Sequence, residues 1–292
     1  MPNYTSWDDT KLWYERTGTG TGVPLLVLPG GPGMDARYLD DLAGLGRDRD
    51  AVFLDPRATG RSGVPQDRST VAFTAQARDV EALRGHLGAD RVDVLGHSAG
   101  CLVAQEYAAA HPERVRRLVL VTPVGRAARE PDPAEIAALR AARSAEPWYA
   151  SAAEADRRLA EGGLTAERQS VLSAHLTPFF WYRWDDETQA AYARGQGAAL
   201  PWLREAFYAG SATSDTADER LARLAAARTP VLVLAGAYDG MIGTAPARLA
   251  AALHPGSRLE ILPRSGHRPW VEEPGLFRSL VAGFLDAADG RP

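Results

Sequence analysis

Six short strand-like runs, each stopped by glycine, proline or a polar turn, alternate along the chain with segments of helical spacing. Most of the runs are continuously apolar, which is typical of strands buried on both faces of a sheet. Helices are indicated where apolar residues share one face, as Val80, Leu83 and Leu87 do. The pattern predicts an α/β fold with a doubly wound, mostly parallel sheet and helices on both faces. The predicted strands lie within residues 24–31, 51–63, 91–98, 115–124, 229–240 and 257–267, after an early strand at 11–16.

The pattern changes between residues 124 and 217. Strand-like runs vanish there, and alanine, arginine and aromatic residues recur at helical spacing. We therefore predict a core of residues 1–123 and 218–292, interrupted by a helical cap at 124–217. The aromatic residues of this segment include Trp148, Tyr149, Phe179, Phe180, Trp181, Tyr182, Trp184, Tyr192, Trp202, Phe207 and Tyr208.

Bulk composition excludes several classes of function. The 292 residues carry a formal net charge of −4, so we expect no nucleic-acid partner, since such proteins present a basic footprint. Cys101 is the single cysteine, so no internal disulfide can form. No stretch approaches the roughly 18 apolar residues of a membrane span, and the first residues do not resemble a signal peptide. We therefore expect a cytoplasmic monomer or small homo-oligomer that acts on a small molecule or short peptide.

A G-x-S-x-G pattern lies between a predicted strand and a predicted helix, at Gly96-His97-Ser98-Ala99-Gly100. This strand–turn–helix context is what a nucleophile elbow requires. Glycines two residues before and after the serine leave space for its strained backbone. The helix N-terminus also favours a developing negative charge. Ser98 is therefore the candidate nucleophile, with a simple N-cap serine as the structural alternative.

A serine hydroxyl needs a base in contact with it at neutral pH, and six histidines are available. His267 is the candidate base because it follows a predicted strand and precedes the last helix, which places it at the carboxyl edge of the sheet. Asp239 also follows a strand and would orient the imidazole. The alternatives are a structural loop histidine and a turn aspartate, since Asp-Gly is a strong turn pair. The chain order of serine, aspartate and histidine is the one given for α/β-hydrolase triads.

Two backbone N–H groups are candidates for stabilising an oxyanion. One belongs to Ala99, directly after the nucleophile, and the other to Gly31, in the glycine-rich turn after the predicted strand at 25–28. Glycines let the backbone approach a substrate oxygen closely. Together these residues predict acyl transfer through an acyl-enzyme. Such a mechanism needs neither a metal ion nor an organic cofactor.

With these residues placed, the chain resembles the α/β-hydrolase family, and within it the proline iminopeptidases, over nearly its whole length. The segment at residues 29–33 resembles the family's HGGPG, and residues 55–63 resemble its D-x-R-G-x-G-x-S loop. Residues 236–239 are similar to G-R-Y-D, and residues 181–185 to W-x-x-W-E. The chain departs from the aminopeptidase pattern at Pro29, His97 and Ala99, where those enzymes tend to have histidine, glycine and tryptophan.

The resemblance implies a proline iminopeptidase-like aminopeptidase that removes an N-terminal residue from small peptides. It implies that Glu205 anchors the ammonium group of the substrate, or else is a solvated helix residue. Trp181, Trp184 and Tyr208 would line the substrate pocket, or else pack the cap. The departures keep other functions open: hydrolysis of an ester, lactone or thioester, a cofactor-free perhydrolase or haloperoxidase, and a non-catalytic ligand-binding relative.

Overall fold

An eight-stranded sheet forms the centre of the computed structural model, which describes residues 2–18, 22–194, 199–212 and 214–288. The order across the sheet is β1-β2-β4-β3-β5-β6-β7-β8. The first two pairings, β1 with β2 and β2 with β4, are antiparallel, and the remaining ones are parallel. The strands are β1 (Asn3–Thr5), β2 (Lys11–Thr17), β3 (Leu25–Leu28), β4 (Ala51–Leu54), β5 (Val92–His97), β6 (Val115–Val121), β7 (Val231–Gly236) and β8 (Arg258–Leu262).

Helices cover both faces of this sheet. Side chains of β5 and β6 alternate between two hydrophobic clusters, so that Val94 and Leu120 face one cluster while Leu95 and Val119 face the other. The described part of the chain contains α1 (Leu45–Asp48), α2 (Phe73–His86), α3 (Gly100–Ala110), α4 (Pro133–Ala141), α5 (Tyr149–Glu161), α6 (Ala166–His175), α7 (Asp186–Ala193), α8 (Leu203–Tyr208), α9 (Ser214–Ala226), α10 (Ala245–Leu253), α11 (Pro269–Glu272) and α12 (Pro274–Asp286). Helices α2, α3 and α10 contribute to the first cluster, and α1 and α12 to the second. The predicted doubly wound α/β fold is confirmed.

The parallel pairings bring the carboxyl ends of several strands to one edge. Leu28 of β3 pairs with Gly96 of β5, His97 pairs with the end of β6, and Gly236 of β7 pairs with the end of β8. The turns that follow these strands therefore start side by side, although they are far apart in the chain. This edge is where open α/β sheets hold their ligands.

Two elements differ from the sequence-based expectation. The short strand β1 was not indicated, because three residues are too few to show a period of two. The sequence pattern predicts one last helix over residues 272–287, but the structure has α11 and α12, separated at Glu273, whose backbone is not helical (φ −130°, ψ 59°). Pro274 lacks an N–H and disfavours a helical residue before it, so it begins a new helix rather than continuing the first.

Within the described residues, helices without any strand connect β6 to β7. These are α4 to α9, and the expected boundary at residue 217 falls inside α9. That helix packs on α3 of the core, where Arg220 and Arg223 form ion pairs with Glu106. The division into core and cap stays a prediction. Nowhere in the described ranges does a helix have the length and apolarity needed to cross a bilayer.

Candidate active site

Ser98 occupies the sharp turn between β5 and α3. Its φ of 54° lies in the left-handed region, and only 4% of its surface is exposed. A Cβ on Gly96 would lie 2.8 Å from the carbonyl oxygen of Gly100, and one on Gly100 would lie 2.5 Å from that of Leu28. Both contacts are closer than real Cβ atoms approach, so only glycine fits at either position. The turn has the strand–turn–helix form of a nucleophile elbow.

A buried hydrogen bond joins the two other predicted catalytic residues. The Nδ1 of His267 lies 2.6 Å from Oδ2 of Asp239, and their exposed fractions are 5% and 1%. The other carboxylate oxygen accepts the N–H groups of Met241 at 3.0 Å and Ile242 at 3.1 Å. Because a carboxylate accepts, Nδ1 is the donor in this hydrogen bond, and in the neutral ring Nε2 is then an acceptor. The imidazole is therefore held in the tautomer of a general base.

The loop that carries His267 is fixed from both the core and the segment expected to be the cap. The N–H of His267 donates to the carbonyl of Phe180 at 2.6 Å. The carboxylate of Glu272 accepts the N–H of Gly266 at 2.7 Å and that of Tyr182 at 2.7 Å. Burial raises the pKa of Glu272 to about 7, although these N–H bonds act to lower it. The position of His267 is consequently coupled to the segment around residues 180–182.

His267 lies close to the residue that precedes Ser98 in the elbow. The ring of His97, the residue before Ser98, has its centroid 4.8 Å from that of His267. The carbonyl of His267 accepts Oγ1 of Thr122 at 3.2 Å and lies 3.0 Å from Nε2 of His97. Residues 98, 239 and 267, which the sequence analysis selects from three distant segments, thus lie at one edge of the sheet.

The two candidate oxyanion donors flank the elbow. Ala99 directly precedes α3, so its N–H belongs to the helix start, where intrahelical acceptors are lacking. Gly31 has a φ of 121°, which favours glycine. A Cβ on the preceding Gly30 would lie 2.8 Å from Cβ of Ser98, so the loop after β3 passes directly over the elbow. The geometry suits an oxyanion site, and the roles of Gly31 and Ala99 stay predictions.

A buried chain of hydrogen bonds links that loop to the histidine loop. The N–H of Gly30 donates to the hydroxyl of Tyr38 at 2.6 Å, and that hydroxyl lies 2.5 Å from Nδ1 of His97. Because the carbonyl of His267 can only accept, Nε2 of His97 is the donor to it, and Nδ1 accepts from Tyr38. Burial lowers the pKa of His97 well below its usual value, which keeps the ring neutral. The sequence holds no signal for this linkage between His97 and Tyr38.

The candidate substrate residues have very different exposures. Trp181 is completely buried, with its ring centroid 6.3 Å from that of Trp184. Tyr208 is partly buried on α8, and burial raises its pKa. Glu205, on the same helix, is exposed. Contact of these four residues with a substrate stays a prediction, but an exposed Glu205 does not offer the enclosed carboxylate that an ammonium anchor needs.

Across residues 2–18, 22–194, 199–212 and 214–288, no group of three or more histidine, cysteine, aspartate or glutamate side chains is arranged to hold a metal ion.

Comparison with known proteins identifies the class. Residues 23–274 match the model of the alpha/beta hydrolase fold family, so the chain belongs to that family. It is 23% identical over 276 residues to a proline iminopeptidase of Heyndrickxia coagulans, covering 92% of both chains. It is 26% identical to a putative carbamate hydrolase RutD of Azorhizobium caulinodans, covering 99% of this chain and 100% of that one. These matches confirm the predicted resemblance to α/β hydrolases close to proline iminopeptidases.

A solved structure also resembles this chain over nearly its whole length. The esterase RhEst1 of a Rhodococcus species superposes with a TM-score of 0.67 at 26% identity, covering 98% of this chain and 99% of that one. The protein is therefore an enzyme of the serine-hydrolase type within the α/β hydrolases.

Proposed function

We propose that the protein hydrolyses carboxylic esters through an acyl-enzyme on Ser98. The observation that carries the proposal is the buried His267–Asp239 hydrogen bond beside a serine with a φ of 54°. A serine in such a turn presents its hydroxyl above the strand end, and an oriented neutral imidazole can take its proton. The esterase from Rhodococcus, similar over 98% of the chain, supports the same activity.

The chemical steps follow from these groups. Oγ of Ser98 attacks the acyl carbon while Nε2 of His267 takes the hydroxyl proton, and Asp239 stabilises the imidazolium. The negative oxygen of the tetrahedral intermediate accepts the N–H groups of Gly31 and Ala99. The C–O bond to the leaving group breaks as His267 returns the proton to it. Water then repeats the attack, which releases the carboxylic acid and regenerates Ser98.

An aminopeptidase is the second candidate. It is favoured by the proline iminopeptidases among the relatives, such as that of Lactobacillus delbrueckii subsp. bulgaricus, 25% identical over 98% of this chain. The exposure of Glu205 and the cations around Tyr208 on the same helix favour the ester instead. Glu205 is exposed, and the guanidinium groups of Arg129 and Arg204 are close enough to Tyr208 to lower its pKa against the effect of burial. A cationic setting disfavours binding of an ammonium group.

A paired substrate panel tests the proposal. We expect 4-nitrophenyl butyrate to be hydrolysed and prolyl-4-nitroanilide not to be, with turnover abolished in Ser98→Ala. Ser151→Ala, on the exposed side of α5, is the matched control and should keep full activity. Fluorophosphonate labelling that requires Ser98 would support the acyl-enzyme independently of substrate choice. Turnover of the anilide alone would replace the ester hydrolase by the aminopeptidase, and ester turnover that survives Ser98→Ala would overturn both.

A further inference from the structure

Arg268, the residue after His267, is a buried cation with few partners. Only 5% of its surface is exposed, and its guanidinium donates to the carbonyl of Ala191 on α7 at 3.2 Å. That bond uses one of the five guanidinium N–H donors, and the described part of the chain supplies no acceptor for the others. Three aromatic rings surround the group, with centroids 4.7 Å (Tyr38), 5.5 Å (Trp181) and 5.7 Å (Tyr192) from its Cζ.

No carboxylate among the described residues lies within ion-pair distance of this guanidinium. The contrast is Arg57, fully buried, which pairs with both Asp79 and Asp8. Burying a charge is costly unless an opposite charge and hydrogen bonds compensate for it. Burial lowers the pKa of Arg268, and the nearby guanidinium of Arg194 lowers it further. Aromatic faces offset part of that cost, but they do not supply the acceptors that the free N–H groups lack.

The position of Arg268 places it close to the reacting groups. Its guanidinium lies over the ring of Tyr38, whose hydroxyl accepts the N–H of Gly30 at 2.6 Å. Gly30 in turn lies against Ser98, since a Cβ there would be 2.8 Å from that of the serine. Arg268 is therefore separated from the oxyanion loop by the ring of Tyr38 alone.

Two further arginines lie near the site. Partial burial lowers the pKa of Arg129, repulsion from Arg204 lowers it further, and attraction to Asp239 acts in the opposite direction. Part of each arginine side chain is exposed at the surface. A positively charged surface raises the local concentration of anions and the rate at which they associate with the protein.

We propose that Arg268 binds a carboxylate of the substrate, so that the enzyme acts on esters that carry an acidic group. This inference rests on ester hydrolysis at Ser98. The planar fork of the guanidinium matches a carboxylate with two parallel charge-assisted hydrogen bonds. A bound carboxylate supplies the acceptors and the opposite charge that the described residues do not provide at this position.

Selectivity between matched esters tests the inference. The substrates are the 4-nitrophenyl half-esters of succinic, glutaric and adipic acids, each paired with its methyl-capped neutral form. We expect wild type to favour at least one acidic ester over its neutral partner in kcat/KM by about 10-fold or more, as a charged hydrogen bond allows. Arg268→Met should lower that ratio by about 10- to 100-fold, and Arg268→Lys by less. Arg157→Met, an exposed arginine on α5, should leave the ratio unchanged.

Binding is measured separately in Ser98→Ala, where no turnover interferes. Glutarate should raise the Tm of Ser98→Ala, and Arg268→Met in that background should abolish the shift without lowering the Tm of the free protein. If Arg268→Met lowered the Tm but left the acidic-to-neutral ratio unchanged, Arg268 would have only a structural role between the core and the predicted cap. That result would overturn the inference. An acidic-to-neutral ratio that Arg268→Met leaves unchanged at an unchanged Tm would overturn it as well. Ester turnover that persists in Ser98→Ala would refute the proposed function instead.

Discussion

Replacing Tyr38 with phenylalanine removes one hydroxyl from the buried chain that joins the oxyanion loop to the histidine loop. The phenylalanine ring keeps the contacts with Arg268 and Trp270, so the packing changes little. Two groups lose their partner, the N–H of Gly30 and Nδ1 of His97. The surroundings leave little access for water as a substitute, since Tyr38 is 3% exposed and His97 is 2% exposed.

The expected loss of stability follows from the number of groups that lose a hydrogen bond, which is two. Each buried group left without a hydrogen bond costs about 1–3 kcal/mol, so the free energy of unfolding should fall by about 2–6 kcal/mol. Without the Tyr38 anchor, the loop carrying Gly31 loses its fixed position over Ser98. Because losing one oxyanion donor altogether costs about 10²–10³ in kcat, misplacing it should cost about 10- to 100-fold. KM should stay within about threefold, since the affected interaction forms mainly in the transition state.

Urea unfolding and steady-state ester hydrolysis measure the two effects, with activity assayed where the variant is fully folded. Tyr14→Phe is the matched control. Its hydroxyl also contacts a histidine, His86, at 3.2 Å, but that pair is exposed and distant from the site. The control should change stability by less than about 0.5 kcal/mol. If Tyr38→Phe behaved like the control in both assays, the chain of bonds would have no role in positioning the oxyanion loop.

Three further predictions concern other groups. Asp239→Asn should lower kcat by about 10³- to 10⁴-fold near neutral pH, because asparagine no longer holds the base tautomer of the imidazole; steady-state kinetics showing less than a tenfold loss would contradict its role. Arg57→Met leaves the carboxylate of Asp79, 2% exposed, without its cation. The free energy of unfolding in urea should fall by about 3–5 kcal/mol, and Arg57→Met/Asp79→Leu should recover part of it. Burial lowers the pKa of His254 to about 4, so the unfolded chain binds a proton first on acidification. The contribution of His254 to the free energy of unfolding should fall by about 3 kcal/mol between about pH 6.5 and pH 4. Urea titrations at the two pH values should therefore show wild type losing about that much more stability on acidification than His254→Phe.

The sequence by itself determined the α/β class and the three residues expected to carry the chemistry. These features are local: strand-like runs ending in glycine or proline, a G-x-S-x-G turn between strand and helix, and polar residues directly after strands. Parallel pairing then brings strand ends together without any knowledge of side-chain packing. For this reason Ser98, Asp239 and His267 could be selected as candidates before their edge of the sheet was known.

Only the tertiary structure decided what surrounds those residues. Tyr38 and His97 are 59 positions apart, and each alone is an ordinary core residue in the sequence. Arg268 follows His267 directly, yet the aromatic rings that surround it, in place of a carboxylate from the described residues, come from distant segments. The exposure of Glu205 likewise depends on how α8 lies on the molecule, and helical spacing does not specify that. Partners and exposure are set by contacts between distant segments, which periodicity and chain order do not encode.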